Sequence, residues 1–351
     1  MDNQIYIPTE DYKVVVRCFT YNQKKYIEDA LNGFAMQHTN FPFACLVMDD
    51  CSTDGEQEVI HAWMKRECDM ERAQFVDLEL STVVIVPHKG NNNCTFAFYF
   101  LKQNMYGIGG KKFLFVNPWR KHCVYKAFCE GDDYWIHPNK LQMQVDFLDA
   151  HPECQYVFTA RYVDNEIKHT RTEQRYKKRI YSTHDFLSGF NPGIQNVCYR
   201  VELTKDFALY HGINGDRLFP YCASLKGTVE YIDEITSVYR VTGEGVSTSI
   251  PESERFIHAS VDFYNFHKNL GFPDMRAYYH GEARYLVHSF VACPKSQLIR
   301  VVIHNYRNLK EIIPQLNMKA YLYMILYHTK SKFQKTIGIG DIKEKDLIYG
   351  K

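Results

Sequence analysis

Several features that would place this 351-residue chain in a common class are missing from it. No apolar run approaches the roughly 20 residues that a membrane-spanning helix needs. The formal charge is only +1 at neutral pH, which argues against a protein that mainly holds nucleic acid, because many phosphates require a basic surface. Internal repeats and low-complexity segments are also absent. The 45% apolar and 15% aromatic content predicts a globular protein with a large core.

The eleven cysteines do not form any Cys-x-x-Cys pair, so a structural zinc site is not expected. Several of them, including Cys45, Cys129 and Cys198, lie within apolar runs. No signal-type segment begins the sequence. We therefore expect free thiols in a reducing, cytoplasmic compartment.

Strand-like and helix-like patterns alternate in the first third of the chain. Apolar runs predict strands at residues 14–19, 44–48 and 82–87, and the segments between them predict helices at 26–37 and about 55–67. This order favours a parallel sheet with helices on both faces, and therefore an α/β fold.

The middle of the chain continues this alternation. The sequence predicts a helix at 96–105 that ends at the glycine-rich residues 107–110. A strand at 124–129, a helix at 138–150 and a strand at 156–160 are expected to follow.

The remaining patterns are weaker. The charged segment 165–179 is predicted to be a solvated loop. Gly215 and Asp216 are expected to form a turn, residues 231–240 are expected to be ordered, and the chain is expected to be helical from residue 256 onward.

Two acidic turns each follow an apolar run, at residues 48–55 and 128–135. The second places Glu130, Asp132 and Asp133 around one glycine, and carboxylates this close repel one another unless a cation, a donor array or a proton separates them. Ligands of open α/β sheets bind outside the carboxyl ends of the strands. We therefore expect both turns to line one cleft that holds Mg²⁺ or Mn²⁺, which favour oxygen ligands.

Each acidic turn also has a plainer interpretation. The polar residues of 48–55 could simply cap the helix that follows them. One acid of the second turn could cap the helix that begins at Pro138, but three carboxylates exceed what a cap needs.

Four sequence blocks, taken in order, resemble the family 2 glycosyltransferases. The third is similar to the metal-binding block of bacterial members that build surface polysaccharides. The blocks are Val14–Asn22, then Val47–Gly55, then Cys129–Trp135 followed by Pro138, Lys140–Leu141 and Gln144–Leu148, and finally Tyr231–Glu234 with Val238–Val241.

This resemblance covers about residues 10–250 and implies a GT-A fold, which is Rossmann-like, with a mixed and mainly parallel central sheet in a three-layer domain. The glycosyltransferase domain would occupy residues 1–250. Its nucleotide-sugar-binding half would be about 1–135 and its acceptor half about 136–250. Residues 251–351 are expected to form a mostly helical C-terminal extension.

The resemblance also implies a nucleotide-sugar donor, with a UDP-sugar as the first expectation, and a divalent metal on its diphosphate. The residues that it assigns to the donor are Thr20, Tyr21, Asn22 and Asp50 at the nucleoside, Glu130 at the ribose or the metal, Asp132 at the metal, and Arg240 at the diphosphate.

Asp216 falls where the family places its catalytic base. This implies an in-line attack by the acceptor hydroxyl that inverts the anomeric centre. The alternative is an ordinary turn aspartate, which the preceding Asn-Gly pair favours. For Arg240 the alternative is a surface ion pair with Asp233 or Glu234.

Two features depart from the family pattern. Relatives often carry a histidine shortly after the Tyr-Arg pair, whereas this chain has Val241–Gly245. The third metal ligand is therefore open between His258 and the oxygens of water and phosphate. Residues 91–121 are longer and more irregular than the family pattern, and they have no assigned role.

The expected activity is sugar transfer to a glycan or lipid-linked glycan in the synthesis of capsule, lipopolysaccharide or exopolysaccharide, without a nucleic-acid partner. The apolar residues 320–327 are followed by Lys330, Lys332 and Lys335. This pattern favours either a helix on the inner face of the cytoplasmic membrane or a buried helix with a basic end.

Two other functions remain as alternatives. A non-catalytic scaffold would bind a sugar nucleotide without turnover. A nucleotidyltransferase would share an acidic metal site, but it typically carries a glycine-rich basic phosphate loop near the first strand, and Phe19–Gln23 is not such a loop.

Overall fold

The computed structural model describes residues 5–106, 112–203, 215–244 and 252–292, together with Ile312. The strands are β1 (Tyr12–Thr20), β2 (Phe43–Asp49), β3 (Gln74–Asp77), β4 (Ser81–Pro87), β5 (Cys94–Leu101), β6 (Cys123–Phe128), β7 (Tyr134–Trp135), β8 (Cys154–Asn165), β9 (Thr170–Gln174), β10 (Ile180–Tyr181), β11 (Val197–Arg200) and β12 (Thr228–Val241). The helices are α1 (Ile27–Ala35), α2 (Glu56–Glu67), α3 (Phe113–Val116), α4 (Lys140–Ala150), α5 (Thr183–Leu187), α6 (Gly215–Lys226), α7 (Glu252–Asn269) and α8 (Met275–Ala292), with short 3-10 helices at Met70–Arg72 and Pro118–His122.

The strands of the described residues form one mixed sheet. Their order across it is β10-β12-β8-β11-β6-β1-β2-β5-β4-β3, with β7 paired to β12 and β9 paired to β8. The centre, β6-β1-β2-β5, is parallel, whereas β11, β4 and β3 join it in antiparallel pairs. This sheet confirms the predicted α/β class with a parallel centre.

The carboxyl ends of the central strands lie together. Thr20, at the end of β1, is paired with Asp49 at the end of β2. Arg17 of β1 is paired with Phe128, the last residue of β6. Because these strands run in the same direction, the loops that follow them leave the sheet at one edge, and the two acidic turns therefore lie side by side.

The central strands are covered on both faces. Val14, Val16 and Cys18 of β1 pack in a core with residues of α1, α2 and α4. Val15 belongs to a second core that contains residues of α3 and the following 3-10 helix. Successive side chains of a strand point to opposite faces, so an unbroken apolar run such as that of β1 fits a strand buried on both sides.

The C-terminal helices share a third core with the far side of the sheet. This core contains Phe158 of β8, Phe219 of α6 and Phe266 of α7. The rings of Phe266 and Tyr221 of α6 are 5.4 Å apart between centroids. Helices α7 and α8 confirm the predicted helical character after residue 256, and they pack directly on α6.

No helix within the described ranges is long and apolar enough to cross a bilayer. The segment 320–335, for which an interfacial or buried helix was predicted, lies outside the described residues. The glycine-rich residues 107–110 also lie outside them. All the cysteines in the described ranges are free thiols.

The prediction of a helix at 96–105 is wrong, because Cys94–Leu101 is strand β5. It pairs in parallel with β2 and antiparallel with β4. Phe96, Phe98 and Phe100 stack along one face, with centroids 5.4 Å and 6.4 Å apart. Aromatic residues at every second position indicate a strand, but β5 is buried on both faces, and its continuous apolar run also resembles a buried helix.

Three other expectations are corrected by the structure. The strand predicted at 82–87 is β4, which runs antiparallel between β5 and β3 rather than parallel. The segment 165–179 is not simply a loop, because β9 pairs with the extended end of β8; its exposed strand accounts for the charged composition. Asp216 lies in the first turn of α6 rather than in an isolated turn.

Candidate active site

The acidic turn after β6 is held against the end of β1 by backbone hydrogen bonds. The amide of Cys129 donates to the carbonyl of Arg17, and the amide of Gly131 donates to the carbonyl of Phe19, both at 3.1 Å. These bonds place the acidic turn directly beside the turn that follows β1. The side chains of both turns therefore face the same region.

Gly131 lies where the two turns approach most closely. An added Cβ atom would lie 2.5 Å from Oε1 of Gln23 and 2.7 Å from Cβ of Thr20. We therefore expect Gly131→Ala to lower the free energy of unfolding by about 1–3 kcal/mol, the usual effect of overpacking, as measured by urea unfolding. Gly90→Ala is the matched control, since its Cβ would meet the ring of His88 at an ordinary 3.4 Å. Equal stability of the two variants would contradict the expectation.

Glu130 is bound by an arginine from β1. Its Oε1 is 2.8 Å from Nη2 of Arg17, and its Oε2 accepts the backbone N–H of Phe19 at 3.1 Å. The guanidinium lies 4.4 Å from the ring centroid of Phe19 and 4.0 Å from that of Phe128. Since Arg17 is only 6% exposed, this ion pair is shielded from solvent and holds Glu130 in one place.

The two aspartates of the turn have different environments. Asp133 is buried and accepts the backbone N–H of Arg240 at 2.8 Å. Burial and the charge of Asp132 raise the pKa of Asp133 well above its usual value. Asp132 is half-buried, and burial together with the nearby Glu130 raises its pKa to about 6. Both effects disfavour a negative charge, so a bound cation would favour ionised Asp132.

The environment of Asp132 fits a metal ion that is coordinated by this carboxylate and by oxygens of a bound phosphate compound and water. Within the described ranges, no group of three or more His, Cys, Asp and Glu side chains is arranged to hold a metal ion. Mg²⁺ and similar ions do not require such a cage, because one or two carboxylates with phosphate and water oxygens are often enough. Glu130 is already paired with Arg17, and His258 is exposed on α7.

The turn after β1 is linked to the turn after β2 through Glu56. This buried carboxylate accepts hydrogen bonds from the hydroxyl of Thr20, from the backbone N–H of Gln23 at 2.8 Å and from the hydroxyl of Ser52 at 3.0 Å. Asn22 adds a second link, because its side-chain oxygen accepts a backbone N–H of the other turn at 2.8 Å. Thr20 and Asn22 therefore fix the relative position of the two turns.

Asp50 and Tyr21 differ in exposure. Asp50 is buried, and its Oδ1 accepts the backbone N–H of Met105 at 2.7 Å. Its Oδ2 is 2.6 Å from Nζ of Lys112. Tyr21 is 44% exposed, so its ring lies at the surface of the turn. The structure thus places Asp50 under the chain around residues 105 and 112, and Tyr21 in the open.

Arg240 reaches from β12 to the acidic turn and to α1. Its guanidinium donates to the backbone carbonyl of Asp132 at 3.1 Å and pairs with the carboxylate of Asp29. The predicted alternative of an ion pair with Asp233 or Glu234 is wrong, since the carboxylate partner of Arg240 is Asp29, and Asp233 pairs with Arg175 at 2.8 Å. Arg240 therefore lies beside the proposed metal ligand.

Asp216 shares the electrostatic environment of the acidic turn. Burial raises the pKa of its carboxyl to about 6, with Arg17 and Arg217 lowering that value and Glu130 raising it. A carboxylate with a pKa near the working pH is suited to accepting a proton from a hydroxyl. The site therefore contains two carboxyls with raised pKa values, the half-buried Asp132 and Asp216.

Residues 18–79, which run from β1 past β3, match the family model described as glycosyl transferase family 2. This segment of the chain therefore carries the sequence pattern of that family. The fold of the chain also matches crystal structures of S. aureus TarS 1-349. The complex with UDP-GlcNAc has a TM-score of 0.57 at 17% identity and covers 93% of this chain and 92% of that chain. The UDP complex has a TM-score of 0.50 at 16% identity, with the same coverage. The predicted GT-A fold is confirmed.

Relatives of this chain occur in mycobacteria. Uncharacterised proteins of Mycobacterium bovis and Mycobacterium tuberculosis are 33% identical to it over 230 residues, which is 65% of this chain and 58% of each relative. The chain therefore spans less than two thirds of the length of the curated relatives that it matches.

Three residues of the candidate site were not predicted from the sequence. Arg17 interrupts the apolar run of β1, and this interruption was the available signal. Lys112 lies in the stretch 91–121, to which the sequence assigned no role. Glu56 is one acid among several at the start of α2, and no local pattern distinguishes it.

Proposed function

We propose that this protein is an inverting glycosyltransferase that moves a sugar from a nucleotide-diphosphate donor to a hydroxyl of its acceptor. The observation that best supports this is that the acidic turn with Asp132 lies directly beside the turn after β1, while Asp216 of α6 is a second carboxyl whose pKa is influenced by Glu130 of that turn. Inverting transfer needs two functions, stabilisation of the anionic leaving group and removal of the acceptor proton. One carboxyl is available for each.

On the nucleoside side, Thr20, Asn22 and Asp50 would shape the site, and Tyr21 would contact the nucleoside. The exposed ring of Tyr21 is able to stack on a base, a contact worth about 1–3 kcal/mol in other proteins. The TarS complex with UDP-GlcNAc supports a UDP-sugar as the first donor to test.

On the diphosphate side, Asp132 would hold Mn²⁺ or Mg²⁺ together with phosphate oxygens. The metal supplies positive charge to the leaving group. Arg240 offers a guanidinium that is suited to paired hydrogen bonds with phosphate oxygens, and donor binding would replace its contact with Asp29, which is 51% exposed. Glu130, fixed by Arg17, would accept a hydrogen bond from a ribose hydroxyl.

On the acceptor side, Asp216 would take the proton of the attacking hydroxyl. The new bond forms at the anomeric carbon while the bond from that carbon to the diphosphate oxygen breaks, and its electron pair leaves with the nucleoside diphosphate. Attack and departure on opposite faces invert the anomeric configuration.

The wider setting is part of the same proposal. The mycobacterial relatives support a bacterial setting. In that setting we propose a glycan or lipid-linked glycan as the acceptor, as in capsule, lipopolysaccharide or exopolysaccharide synthesis. Residues 1–135 would bind the donor, 136–250 would bind the acceptor, and 251–351 would form the helical extension. We place the enzyme in the cytoplasm, with peripheral contact to the inner face of the membrane through its basic C-terminal segment.

A donor panel tests this function. The protein is incubated with UDP-, GDP- and TDP-sugars and Mn²⁺ or Mg²⁺, with water as the acceptor, and release of nucleoside diphosphate is measured. Metal-dependent release from one donor class is the expected result. If donors bind but none of them releases nucleoside diphosphate, the protein is instead the non-catalytic scaffold.

The pH dependence of turnover follows from the raised pKa of Asp216. The base must be ionised, and its pKa is about 6 instead of the usual 3.8. We expect kcat for nucleoside diphosphate release to be constant above about pH 7 and to fall about ten-fold for each pH unit below 6, because protonation removes the base. A kcat profile measured between about pH 4.5 and 8 checks this. A profile that stays flat to pH 5 would contradict it.

A further inference from the structure

The turn that carries Asp216 lacks one ordinary helical hydrogen bond. Helix α6 contains Pro220, and a proline has no N–H to donate to the carbonyl four residues earlier. That carbonyl belongs to Asp216, and the proline ring also crowds it. Contacts of its side chains with other parts of the chain therefore help to set the position of the first turn of α6.

Arg217, the next residue, makes such a contact with α8. Its guanidinium donates to the hydroxyl of Tyr285 at 2.7 Å. It also lies 5.1 Å from the ring centroid of Tyr285 and 5.5 Å from that of Phe263 on α7. Burial favours the neutral phenol, but Arg217 and Arg284 outweigh this effect and lower the pKa of Tyr285. The phenol and the arginine are therefore strongly coupled.

Tyr285 is fixed in turn by close packing of α8. At Gly281, four residues before it, an added Cβ would lie 3.1 Å from the carbonyl oxygen of Ser188 at the end of α5. Arg284 donates to the same carbonyl at 3.2 Å. The ring of Tyr285 is 5.3 Å from that of Phe263. Helices α5, α7 and α8 together thus set the position of the Tyr285 hydroxyl.

We propose that Tyr285 is a positioning residue for glycosyl transfer, and that it holds Asp216 in place through Arg217. The inference rests on the proposed function, because it takes Asp216 as the general base. It assigns a role in the reaction to the described part of the C-terminal extension. Helix α8 sets the position of the base, while the donor site is built from the turns after β1, β2 and β6.

The decisive variant is Tyr285→Phe, which removes the hydroxyl that accepts from Arg217 and keeps the ring. We expect kcat to fall about ten-fold or more, because a small displacement of a reacting group has effects of this size. The donor KM, and the donor Kd from calorimetry, should stay within about two-fold. The assay is UDP release from UDP-GlcNAc with Mn²⁺ and water as the acceptor, or release from the sugar nucleotide that the donor panel identifies.

Tyr279→Phe is the matched control. Tyr279 is a half-buried tyrosine on the same helix, packed beside the core of α7 and α8, and its change should leave kcat within about two-fold of the parent. An unchanged kcat in Tyr285→Phe, or a parallel loss in kcat and donor affinity, would overturn the positioning role.

The two proposals fail in different ways. If Asp216→Asn retains full turnover, Asp216 is not the base and the proposed mechanism is wrong. If Asp216→Asn loses turnover while Tyr285→Phe behaves like Tyr279→Phe, only the role of Tyr285 is wrong. Arg217→Met provides a second test, because it removes the hydrogen bond to Tyr285 from the α6 side. It should reproduce the loss in kcat with an unchanged donor Kd.

Discussion

Asp132→Asn should reduce metal-dependent release of nucleoside diphosphate by about a hundred-fold or more. The asparagine keeps the shape of the side chain but removes the charge that would bind the cation, and the charge on the leaving group is then poorly stabilised. The measurement is the initial rate of release at increasing Mn²⁺ concentration. The apparent affinity for Mn²⁺ should fall together with the rate.

Asp77→Asn is the control for loss of a carboxylate. Asp77 is 75% exposed on β3 and pairs with Lys102 at 2.8 Å, remote from the acidic turn along the sheet. Its change should leave the rate and the Mn²⁺ dependence unaltered. Full metal-dependent activity in Asp132→Asn would remove the central argument for the proposed site.

Asp216→Asn should bind the donor normally and lose turnover by about a hundred-fold or more, which is the range of general-base contributions. The amide cannot accept the proton of the attacking hydroxyl. Because Asp216 lies on α6 and not in the turns that would contact the nucleoside, the donor Kd should be unchanged. Calorimetry with the donor and the rate of nucleoside diphosphate release test the two parts separately.

Asp233→Asn is a suitable comparison, because its carboxylate is 65% exposed and pairs with Arg175 at the surface. It should retain activity. A large loss of donor affinity in Asp216→Asn would mean that Asp216 contacts the donor instead of the acceptor, and the assignment as base would be withdrawn.

Local patterns predicted the central part of the fold well. The runs that form β1, β2 and β6 are mainly apolar and end in polar turns, so their strands and their shared edge were predictable. β5 was not, because Phe96, Phe98 and Phe100 sit in an apolar run that is equally typical of a buried helix. Its pairing with β2 and β4 decides the conformation, and pairing with distant strands is not encoded in a short window.

The candidate site was also predictable only in part. Asp132 was singled out because three carboxylates follow an apolar run, and Asp216 was assigned through the family resemblance alone; both roles remain predictions. The partners of the site residues could not be predicted, because they come from distant parts of the chain. Arg17 meets Glu130 across 113 positions, and Tyr285 meets Arg217 across 68. Only the folded structure brings such pairs together.

Three cations around the cleft already have carboxylate partners within the protein. The pairs are Arg17 with Glu130, Lys112 with Asp50, and Arg240 with Asp29. An approaching anion therefore meets paired charges, so long-range attraction should contribute little to its association rate, and that rate should depend only weakly on ionic strength. Capture would proceed by exchange, in which a phosphate oxygen takes the place of a carboxylate. Simple phosphates would compete poorly at such a cleft, because only a ligand that also fills the nucleoside and metal positions gains enough to displace an internal partner.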